Sequence, residues 1–441
     1  MPQNRMDDTI AAIATPLGTG GVAIVRMSGN KAKNILQKLI KKTTITSHKV
    51  YHGWIKGIDE VLCVYMRSPK TFTGEDVVEI NCHGGIRLVN KILEQCILNG
   101  ARQAKRGEFT KRAFLNGKMD LSQAEAIISI IGSQTDKGIE ASAAQLSGGL
   151  SKAINGTRER LIKIAAKLEA AIDFPDDVEE QKEELASDLI NAMSEIEAML
   201  ETADYGAILK NGTNIAIIGK PNVGKSSLLN ALIRQDRAIV ADEPGTTRDT
   251  IEAGVNLYGL PVKLTDTAGI REPKNNIEQL GIERSKGTIS QAEIILLVLD
   301  ASEKKLTKED ERLIKEVVGK RVIYVLNKVD KGANLAARGV KVSALTGEGV
   351  GKLEEAIYRT ILDGSHQTYD GIIVMSARHK ECLIRAKESL HRAIDSIKMM
   401  GEIELQTIDI KEAIESLGEV SGVGVAEEII NNIFNEFCIG K

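Results

Sequence analysis

A glycine-rich segment in the middle of the chain has the residue types and spacing that hold phosphate groups. It reads Gly219-Lys220-Pro221-Asn222-Val223-Gly224-Lys225-Ser226 and matches GxxxxGKS. An apolar run precedes it and a helical pattern follows it, which is the setting that the motif requires. The loop's N–H groups and the helix N-terminus can then surround phosphate oxygens. Lys225 is expected to contact the β- and γ-phosphates, and the Ser226 hydroxyl to bind Mg²⁺.

Two further segments supply groups that a nucleotide's phosphates and metal ion need. Asp266-Thr267-Ala268-Gly269 has the form DxxG at a suitable distance after the phosphate loop. Asp266 is expected to hold Mg²⁺ through water, and the N–H of Gly269 to meet the γ-phosphate. Between the two motifs lies Gly245-Thr246-Thr247-Arg248-Asp249, in which Thr247 is the natural second hydroxyl ligand of Mg²⁺ on a switch loop.

A guanine-reading motif follows later in the chain. Asn327-Lys328-Val329-Asp330 has the form NKxD at the end of an apolar run, and Ser343-Ala344-Leu345 fits the supporting guanine loop. A carboxylate at Asp330 can accept from a ring N–H and an amino group of guanine, a pair that adenine does not offer. An ATPase would leave this motif unexplained, so the motifs together predict GTP.

The elements that position these motifs fall into stretches of different texture. Residues 7–118 are mixed, 120–208 are helical, 212–362 alternate short apolar runs with helical segments, and helical patterns return after residue 375. The predicted fold class is multi-domain α/β and all-α. It has an N-terminal α+β domain (1–118), a discontinuous helical domain (119–210 and 363–441) and an inserted P-loop α/β domain of Ras-like type (211–362).

Composition sets further limits. The chain has 441 residues, 42% hydrophobic and 27% charged, with a net charge of −3, which disfavours disorder and a strongly cationic nucleic-acid binder. Its five cysteines are scattered without a CxxC pair, which favours reduced thiols in a cytoplasmic protein over disulfides or a zinc site. We expect neither a signal peptide nor a membrane span.

Taken together, these motifs carry a resemblance. The phosphate loop, the GTTRD segment and the apolar Ile270 after DTAG are typical of bacterial GTPases that lack a catalytic glutamine, since an apolar residue cannot orient water. Ala14-Thr15-Pro16-Leu17-Gly18, Phe72-Thr73-Gly74-Glu75-Asp76 and Cys438-Ile439-Gly440-Lys441 narrow it further. Over essentially its whole length, the chain resembles the MnmE (TrmE) family of tRNA-modification GTPases.

The resemblance implies a role for the N-terminal domain. It should be similar to folate-binding aminomethyltransferase domains, form a homodimer and bind a 5-formyltetrahydrofolate-type one-carbon donor. The implied folate residues are Arg26, Glu79, Lys118 and Lys441. A cation such as Arg26 suits a folate carboxylate, and Glu79 suits the pterin N–H groups. Without the resemblance, Arg26 and Lys118 read as surface ion pairs.

The resemblance also implies how GTP is hydrolysed. It implies that a potassium ion is held by Asn222, Ala241, Glu243 and Thr246 and that Glu283 orients the attacking water. Without the resemblance, the sequence favours a solvated helix glutamate at Glu283. Cys438, near the end of the chain, is a tentative catalytic residue or a flexible-tail cysteine. The predicted GTP-binding residues are Asn222, Val223, Gly224, Lys225, Ser226, Ser227, Ala241, Asp242, Glu243, Pro244, Gly245, Thr246, Thr247, Asp266, Thr267, Ala268, Gly269, Asn327, Lys328, Asp330, Ser343, Ala344 and Leu345.

The family's activity and partners complete the expectation. With a flavin-dependent partner, MnmG, in a heterotetramer, a (carboxymethyl)aminomethyl group is added to C5 of the wobble uridine of certain tRNAs, while GTP hydrolysis rearranges the GTPase domains. One alternative is a ribosome-assembly GTPase acting on rRNA, which would explain residues 212–362 but not the rest. Another is a folate-dependent transferase merely regulated by GTP.

Overall fold

The computed structural model describes residues 8–173, 182–239, 251–266, 289–362, 371–399 and 401–441. These residues belong to two compact units, and each unit is described by itself. The first contains residues up to 128, 145–192 and 385–441, and the second contains 129–144 and 193–384. The domain boundaries expected from the sequence stay a prediction.

The first unit begins with a six-stranded sheet whose order is β3-β4-β5-β2-β1-β6. Neighbouring strands are antiparallel except for β1 and β6, which are parallel. The strands are β1 (Ile10–Ile13), β2 (Ala23–Ser28), β3 (Lys49–Ile55), β4 (Asp59–Met66), β5 (Val77–Cys82) and β6 (Arg102–Gln103). The helices among and after them are α1 (Ala32–Leu39), α2 (Ile86–Leu98) and α3 (Glu108–Leu115).

Alternation along the strands gives this sheet two packed faces. In β1, Ala11 joins the larger core that α1 and α2 cover, whereas Ile10 and Ala12 pack with Phe109 of α3. Side chains of successive strand residues point to opposite faces, so β1 serves both layers.

Helices dominate the region after α3. They are α4 (Leu121–Gly132), α5 (Asp136–Leu146), α6 (Gly149–Asp173), α7 (Lys182–Glu201) and α8 (Ala203–Asn211). Within the first unit, α6 packs along a helix from the far end of the chain: the Nε of Arg158 donates to the carbonyl of Ile414 at 3.2 Å, across 256 residues of sequence. Residues distant in sequence therefore build this helical layer together.

The second unit contains a seven-stranded sheet in the order β13-β12-β11-β7-β10-β9-β8. The strands from β13 to β10 are parallel, and β9 and β8 continue the sheet antiparallel. Its elements in chain order are β7 (Thr213–Ile218), α9 (Lys225–Arg237), β8 (Ala238–Ile239), β9 (Ile251–Leu257), β10 (Leu260–Asp266), β11 (Ile294–Asp300), α10 (Lys308–Glu316), β12 (Arg321–Asn327), β13 (Val340–Lys341) and α11 (Val350–Ile361).

Both faces of this sheet are covered, which explains its continuous apolar strands. In β7, Ile215 and Ile217 enter one core, and Ala216 and Ile218 enter the other. The chain ends with α12 (Ala377–Lys398), α13 (Ile403–Ser421) and α14 (Glu427–Asn435). No helix in the described ranges is long and apolar enough to cross a membrane.

Candidate functional site

The phosphate loop connects the end of β7 to the first residue of α9, as the sequence predicts. Two of its glycines are required by close approach: a Cβ on Gly219 would lie 2.5 Å from the carbonyl oxygen of Val298, and one on Gly224 would lie 2.4 Å from Nδ2 of Asn327. Gly224 and Asn222 also have positive φ angles, of 95° and 61°. Asparagine tolerates this left-handed conformation better than most residues.

Lys225 is folded back over the loop that it follows. Its Nζ donates to the carbonyl oxygens of Gly219 at 2.7 Å and Lys220 at 3.0 Å. The side chain is buried, and burial lowers the pKa of Lys225 more than the nearby Asp266 and Glu309 raise it. Because an ammonium carries three N–H donors, one donor is available for a phosphate oxygen.

The expected magnesium ligands of the phosphate loop and the DxxG motif lie together. The hydroxyl of Ser226 donates to Oδ2 of Asp266 at 2.8 Å, and Asp266 is fully buried at the end of β10. A hydroxyl and a carboxylate are hard oxygen donors of the kind that Mg²⁺ prefers. The donor set therefore fits a magnesium ion.

Asn327 joins two of the predicted motifs to a third. Its Nδ2 donates to the carbonyl of Val223 at 2.8 Å, and its Oδ1 accepts from the backbone N–H of Ala344 at 3.0 Å. The side chain is buried. Asn327 thus connects the phosphate loop, the NKxD motif and the supporting guanine loop.

The groups expected around the base are also held in place. The hydroxyl of Ser343 donates to Oδ1 of Asp330 at 2.6 Å, and Asp330 is itself exposed. Lys328, with φ of 68°, places its Nζ 2.7 Å from Oδ2 of Asp300. Burial would raise the pKa of Asp300, but the hydrogen bonds from Lys328 and Ser302 outweigh it and lower that pKa.

One contact of the phosphate loop has no counterpart in the sequence analysis. Nζ of Lys220 lies 2.7 Å from the carboxylate of Glu303 and 3.1 Å from that of Asp310. Asp310 and Thr307 form a capping box at the start of α10. The Thr-x-x-Asp pattern signals this cap, but nothing in the sequence says that Lys220 reaches it.

Two further predicted residues of the second unit, Ser227 and Leu345, are exposed beside their motifs, and Leu345 is 82% exposed. Other predicted site residues lie outside the part of the chain that the structure describes. The residues outside the described ranges are Ala241, Asp242, Glu243, Pro244, Gly245, Thr246, Thr247, Thr267, Ala268, Gly269 and Glu283.

In the first unit, two of the predicted folate residues form a pair. Arg26 and Glu79 face each other across β2 and β5, and the Nε and the NH2 group of Arg26 each lie 2.8 Å from Oε1 of Glu79. The Arg26 guanidinium also lies 5.9 Å from the ring centroid of Phe109 and donates to the carbonyl of Gly440 at 3.2 Å.

The C-terminal tail reaches this pair through backbone contacts. The N–H of Phe109 donates to the carbonyl of Lys441 at 3.2 Å, and Ile439 forms an antiparallel bridge with Arg106. Gly440 has φ of 94°, and a Cβ there would lie 2.2 Å from the carbonyl of Ile13, so glycine is required. The sequence separates Lys441 from Arg26 by most of the chain, yet the fold brings their segments together.

Lys118 is not hydrogen-bonded to the Arg26–Glu79 pair among the described residues, and the cysteines differ in their exposure. Nζ of Lys118 donates to the carbonyl of Pro69 at 3.1 Å, and no hydrogen bond or ion pair within the described residues joins it to Arg26, Glu79 or Lys441. Cys438 is exposed, whereas the other cysteines are buried. Burial raises the pKa of the Cys82 thiol to about 11.

A buried ionic network near this pair was not anticipated. The side chain of Arg112 is 2% exposed and contacts the carboxylates of Asp8, Glu75 and Glu108 at 2.6 to 3.1 Å. Glu75 also accepts from Ser28, two residues after Arg26 on β2, at 2.7 Å. No local sequence pattern distinguishes Arg112 from a surface arginine.

The described contacts bring the phosphate-loop, magnesium and guanine motifs together at the carboxyl ends of β7, β10 and β12. This arrangement defines a P-loop GTPase. Residues 9–118 match the family described as the GTP-binding protein TrmE N-terminus, and residues 121–438 match the MnmE helical domain family.

Two bacterial tRNA modification GTPases match this chain along nearly its full length. The chain is 42% identical to the tRNA modification GTPase MnmE of Alkaliphilus metalliredigens, over 99% of this chain and 100% of that one. It is 44% identical to that of Bacillus velezensis, over 98% and 100%. A solved structure of Aquifex aeolicus Era bound to GDP.AlF4- is 28% identical over 40% of this chain and 66% of that chain, with a TM-score of 0.27. The chain belongs to the MnmE (TrmE) family of tRNA modification GTPases.

Proposed function

We propose that the protein is a potassium-dependent GTPase that modifies C5 of the wobble uridine of certain tRNAs. It acts with a flavin-dependent partner and adds a (carboxymethyl)aminomethyl group. The observation that carries the proposal is that one chain, similar to tRNA modification GTPases over its full length, holds both the Asn327 junction of a GTP site and the Arg26–Glu79 pair. Because tRNA is the substrate, the expected location is the cytoplasm.

GTP recognition follows from the contacts on either side of Asn327. Asp330 accepts from guanine, with its carboxylate oriented by Ser343. Lys225 donates its third N–H to a phosphate oxygen, and Ser226, Thr247 and, through water, Asp266 hold Mg²⁺. The ion supplies positive charge at the β- and γ-phosphates.

Hydrolysis needs a further cation and a group to orient water. Asn222 is exposed and held at positive φ. We assign it to K⁺ together with Ala241, Glu243 and Thr246, because K⁺ takes oxygen ligands and positive charge near the bridging oxygen favours the transition state. Glu283 orients the attacking water, a task that Ile270 cannot perform.

The Arg26–Glu79 pair is proposed to bind the one-carbon donor, a 5-formyltetrahydrofolate-type molecule. Oε2 of Glu79 has no hydrogen bond among the described residues and can accept from a pterin N–H, while Arg26 has N–H donors beyond those that Glu79 and Gly440 use. Lys441 arrives through the tail contact with Phe109, and Lys118 would have to leave the carbonyl of Pro69. Cys438 is the exposed thiol beside this site.

The assembly belongs to the same proposal. The chain forms a homodimer through its N-terminal domain and a heterotetramer with the MnmG partner, and the nucleotide cycle rearranges the GTPase domains. A ribosome-assembly role on rRNA accounts for residues 212–362 alone and leaves the Arg26–Glu79 pair and the tail contacts without a role.

Two measurements test the function. Nucleoside analysis of tRNA from cells that lack the protein should show unmodified wobble uridine, and the native gene should restore the modification. Normal modification without the protein would overturn the proposal. GTP turnover in KCl should greatly exceed turnover in NaCl at equal ionic strength, and equal rates would remove the potassium step alone.

A further inference from the structure

A group of lysines at the C-terminal end of α1 belongs to neither site. This lysine cluster consists of Lys38, Lys41, Lys42 and Lys49, all of them exposed. Three of the four line an open depression of about 650 Å³, together with amide and hydroxyl side chains. The lining residues are Asn34, Gln37, Lys38, Lys41, Lys42 and Thr43.

The surrounding sequence leaves this cluster's charge uncompensated. Residues 9–58 contain no aspartate or glutamate but eight lysines and arginines, although the whole chain has a net charge of −3. Within the part of the chain that the structure describes, none of the four lysines has a carboxylate within ion-pair distance. The balanced total therefore hides a strongly basic surface.

The cluster stands on a fixed frame. The side chain of Gln37 donates to the carbonyl of Thr43, and the backbone N–H of Thr46 donates to the hydroxyl of Tyr51 at 2.6 Å. Nζ of Lys42 lies 5.4 Å from the ring centroid of Tyr51. The hydrogen bond from Thr46, together with the charges of Lys49 and Lys42, lowers the pKa of Tyr51, so both lysines act on this one phenol.

Helix capping explains only part of the cluster. Cations at a helix C-terminus offset the helix dipole, and Lys38 lies in the last turn of α1. Lys42 and Lys49 lie beyond the helix end, and Lys49 is on the neighbouring β3. The helix dipole therefore does not explain why Lys41 and Lys42 join Lys38 around one depression with Lys49 nearby.

We propose that the lysine cluster binds the phosphate backbone of RNA and is a contact surface for the tRNA of the proposed function, on which this inference rests. Lysines that neutralise phosphates supply affinity without reading sequence, and amide and hydroxyl side chains add donors to phosphate and sugar. The lining contains no apolar side chain that could insert into a bilayer.

The test uses the full-length protein and an unmodified tRNA transcript, with binding measured by fluorescence polarisation over a series of KCl concentrations. Changing Lys38, Lys41 and Lys42 together to glutamine should reduce the magnitude of the negative slope of log K against log[salt] by roughly two to three units. The same change should reduce affinity at about 0.1 M salt roughly ten- to several-hundred-fold. Changing the same three to arginine should preserve binding. GTP hydrolysis should stay at the wild-type rate in both variants.

A matched control replaces three exposed lysines elsewhere, Lys152, Lys163 and Lys352, with glutamine. An equal loss in the control, or an unchanged slope in the cluster variant, overturns the proposal while wild-type tRNA binding stands. Cluster-dependent binding to phosphatidylserine vesicles with unchanged tRNA binding assigns the surface to membrane and also overturns it. A wild-type protein that does not bind tRNA at all removes the proposed tRNA substrate as well.

Discussion

The ammonium of Lys220, inside the phosphate loop, lies 3.1 Å from the carboxylate of Asp310, which forms the capping box of helix α10 with Thr307. The two side chains are 12% and 3% exposed. Burial alone would lower the pKa of Lys220, but Glu303 and Asp310 raise it overall, so the ion pair is kept at neutral pH. The carbonyl of Lys220 accepts from Lys225, so this pair ties the loop that must hold phosphate to a helix cap.

Replacing Lys220 with methionine should therefore weaken nucleotide binding as well as stability. Removing one partner of a largely buried charge pair leaves the other uncompensated, which costs about 1–3 kcal/mol where other hydrogen bonds remain. Arginine at the same position should restore most of both. Fluorescent-GDP titration and urea unfolding measure the two effects.

The matched control is Arg312→Gln, which breaks an exposed ion pair with Glu316 on the same helix. It should cost under about 1 kcal/mol and leave GDP affinity unchanged. Wild-type GDP affinity in Lys220→Met would show that this ion pair does not support nucleotide binding.

Much of the nucleotide site could be predicted from the sequence because its chemistry is local. The phosphate loop needs a strand, glycines and a helix in immediate succession, and the strand Thr213–Ile218 and the helix Lys225–Arg237 flank the loop in this order. The NKxD motif likewise ends a buried strand. Gly219 and Gly224 leave no room for a Cβ atom, so few other residues could occupy these two positions of the motif.

Contacts between distant segments could not be predicted. The partners of Lys220, and Asp8 and Glu75 among those of Arg112, lie far from these cations along the chain. The apolar pattern that defines strands contains no information on which cation meets which carboxylate. The hairpin strand Ile251–Leu257 was not predicted either, because it alternates apolar and polar residues, whereas the predicted strands of this domain are short continuous apolar runs. The tail contact with Arg26 was anticipated from the family resemblance, not from residue spacing.

The guanine contact predicts a change of base preference. Asp330→Asn should lose GTP affinity roughly 10²-fold or more, because the guanine N–H groups then face an amide donor, and should bind xanthosine nucleotides better. Ser343→Ala keeps the carboxylate and loses one hydrogen bond, so it should cost about tenfold and keep the preference for GTP. Competition binding with GTP, XTP and ATP measures all three; ATP competing equally with GTP in the wild type would contradict the assignment.

Asn222 offers a test of potassium use that avoids backbone strain. Glycine adopts its positive φ freely and removes the carboxamide, whereas aspartate also tolerates this conformation and keeps an oxygen. Stimulation of turnover by KCl over NaCl should vanish in Asn222→Gly, with a loss of about 10²- to 10³-fold in rate. Asn222→Asp should keep part of it. Steady-state hydrolysis in each salt is the measurement, and full stimulation of the glycine variant would exclude Asn222 as a ligand.

The Arg112 network predicts how the first unit responds to acid. Burial would raise the pKa of Glu108, but hydrogen bonds from Arg102, Lys105 and Arg112 outweigh it and hold that pKa below its ordinary 4.5. A lowered carboxyl pKa contributes stability that is present above the ordinary value and is lost as pH falls through the folded value. The unfolding free energy should therefore decline below about pH 4.5.

Arg112→Met should lose about 3–5 kcal/mol at neutral pH, because Glu108 remains as a buried, less compensated charge. The decline below pH 4.5 should also flatten, since the carboxyl pKa then rises. Urea unfolding followed by circular dichroism over a series of pH values measures both effects. An unaltered pH profile in the variant would place the acid-sensitive groups elsewhere.

The tail contact predicts a separation of the two activities. Deleting residues 438–441 should abolish tRNA modification, because Arg26 loses the carbonyl of Gly440 and Phe109 loses that of Lys441. GTP hydrolysis should stay within about twofold of wild type, because the phosphate-loop, magnesium and guanine motifs belong to the other compact unit and, among the described residues, share no partner with the tail. Gly440→Ala should reproduce the loss with the tail present, because its Cβ would lie 2.2 Å from the carbonyl of Ile13.

Cys438→Ser separates the anchoring of the tail from thiol chemistry, because it keeps every backbone contact. If tRNA modification survives in this variant, the tail has a positioning role. If modification fails, the thiol has a catalytic role. Nucleoside analysis of tRNA from cells carrying each variant, beside GTP turnover of the purified proteins, gives the answer. Normally modified tRNA in the deletion variant would mean that neither the tail nor Cys438 takes part.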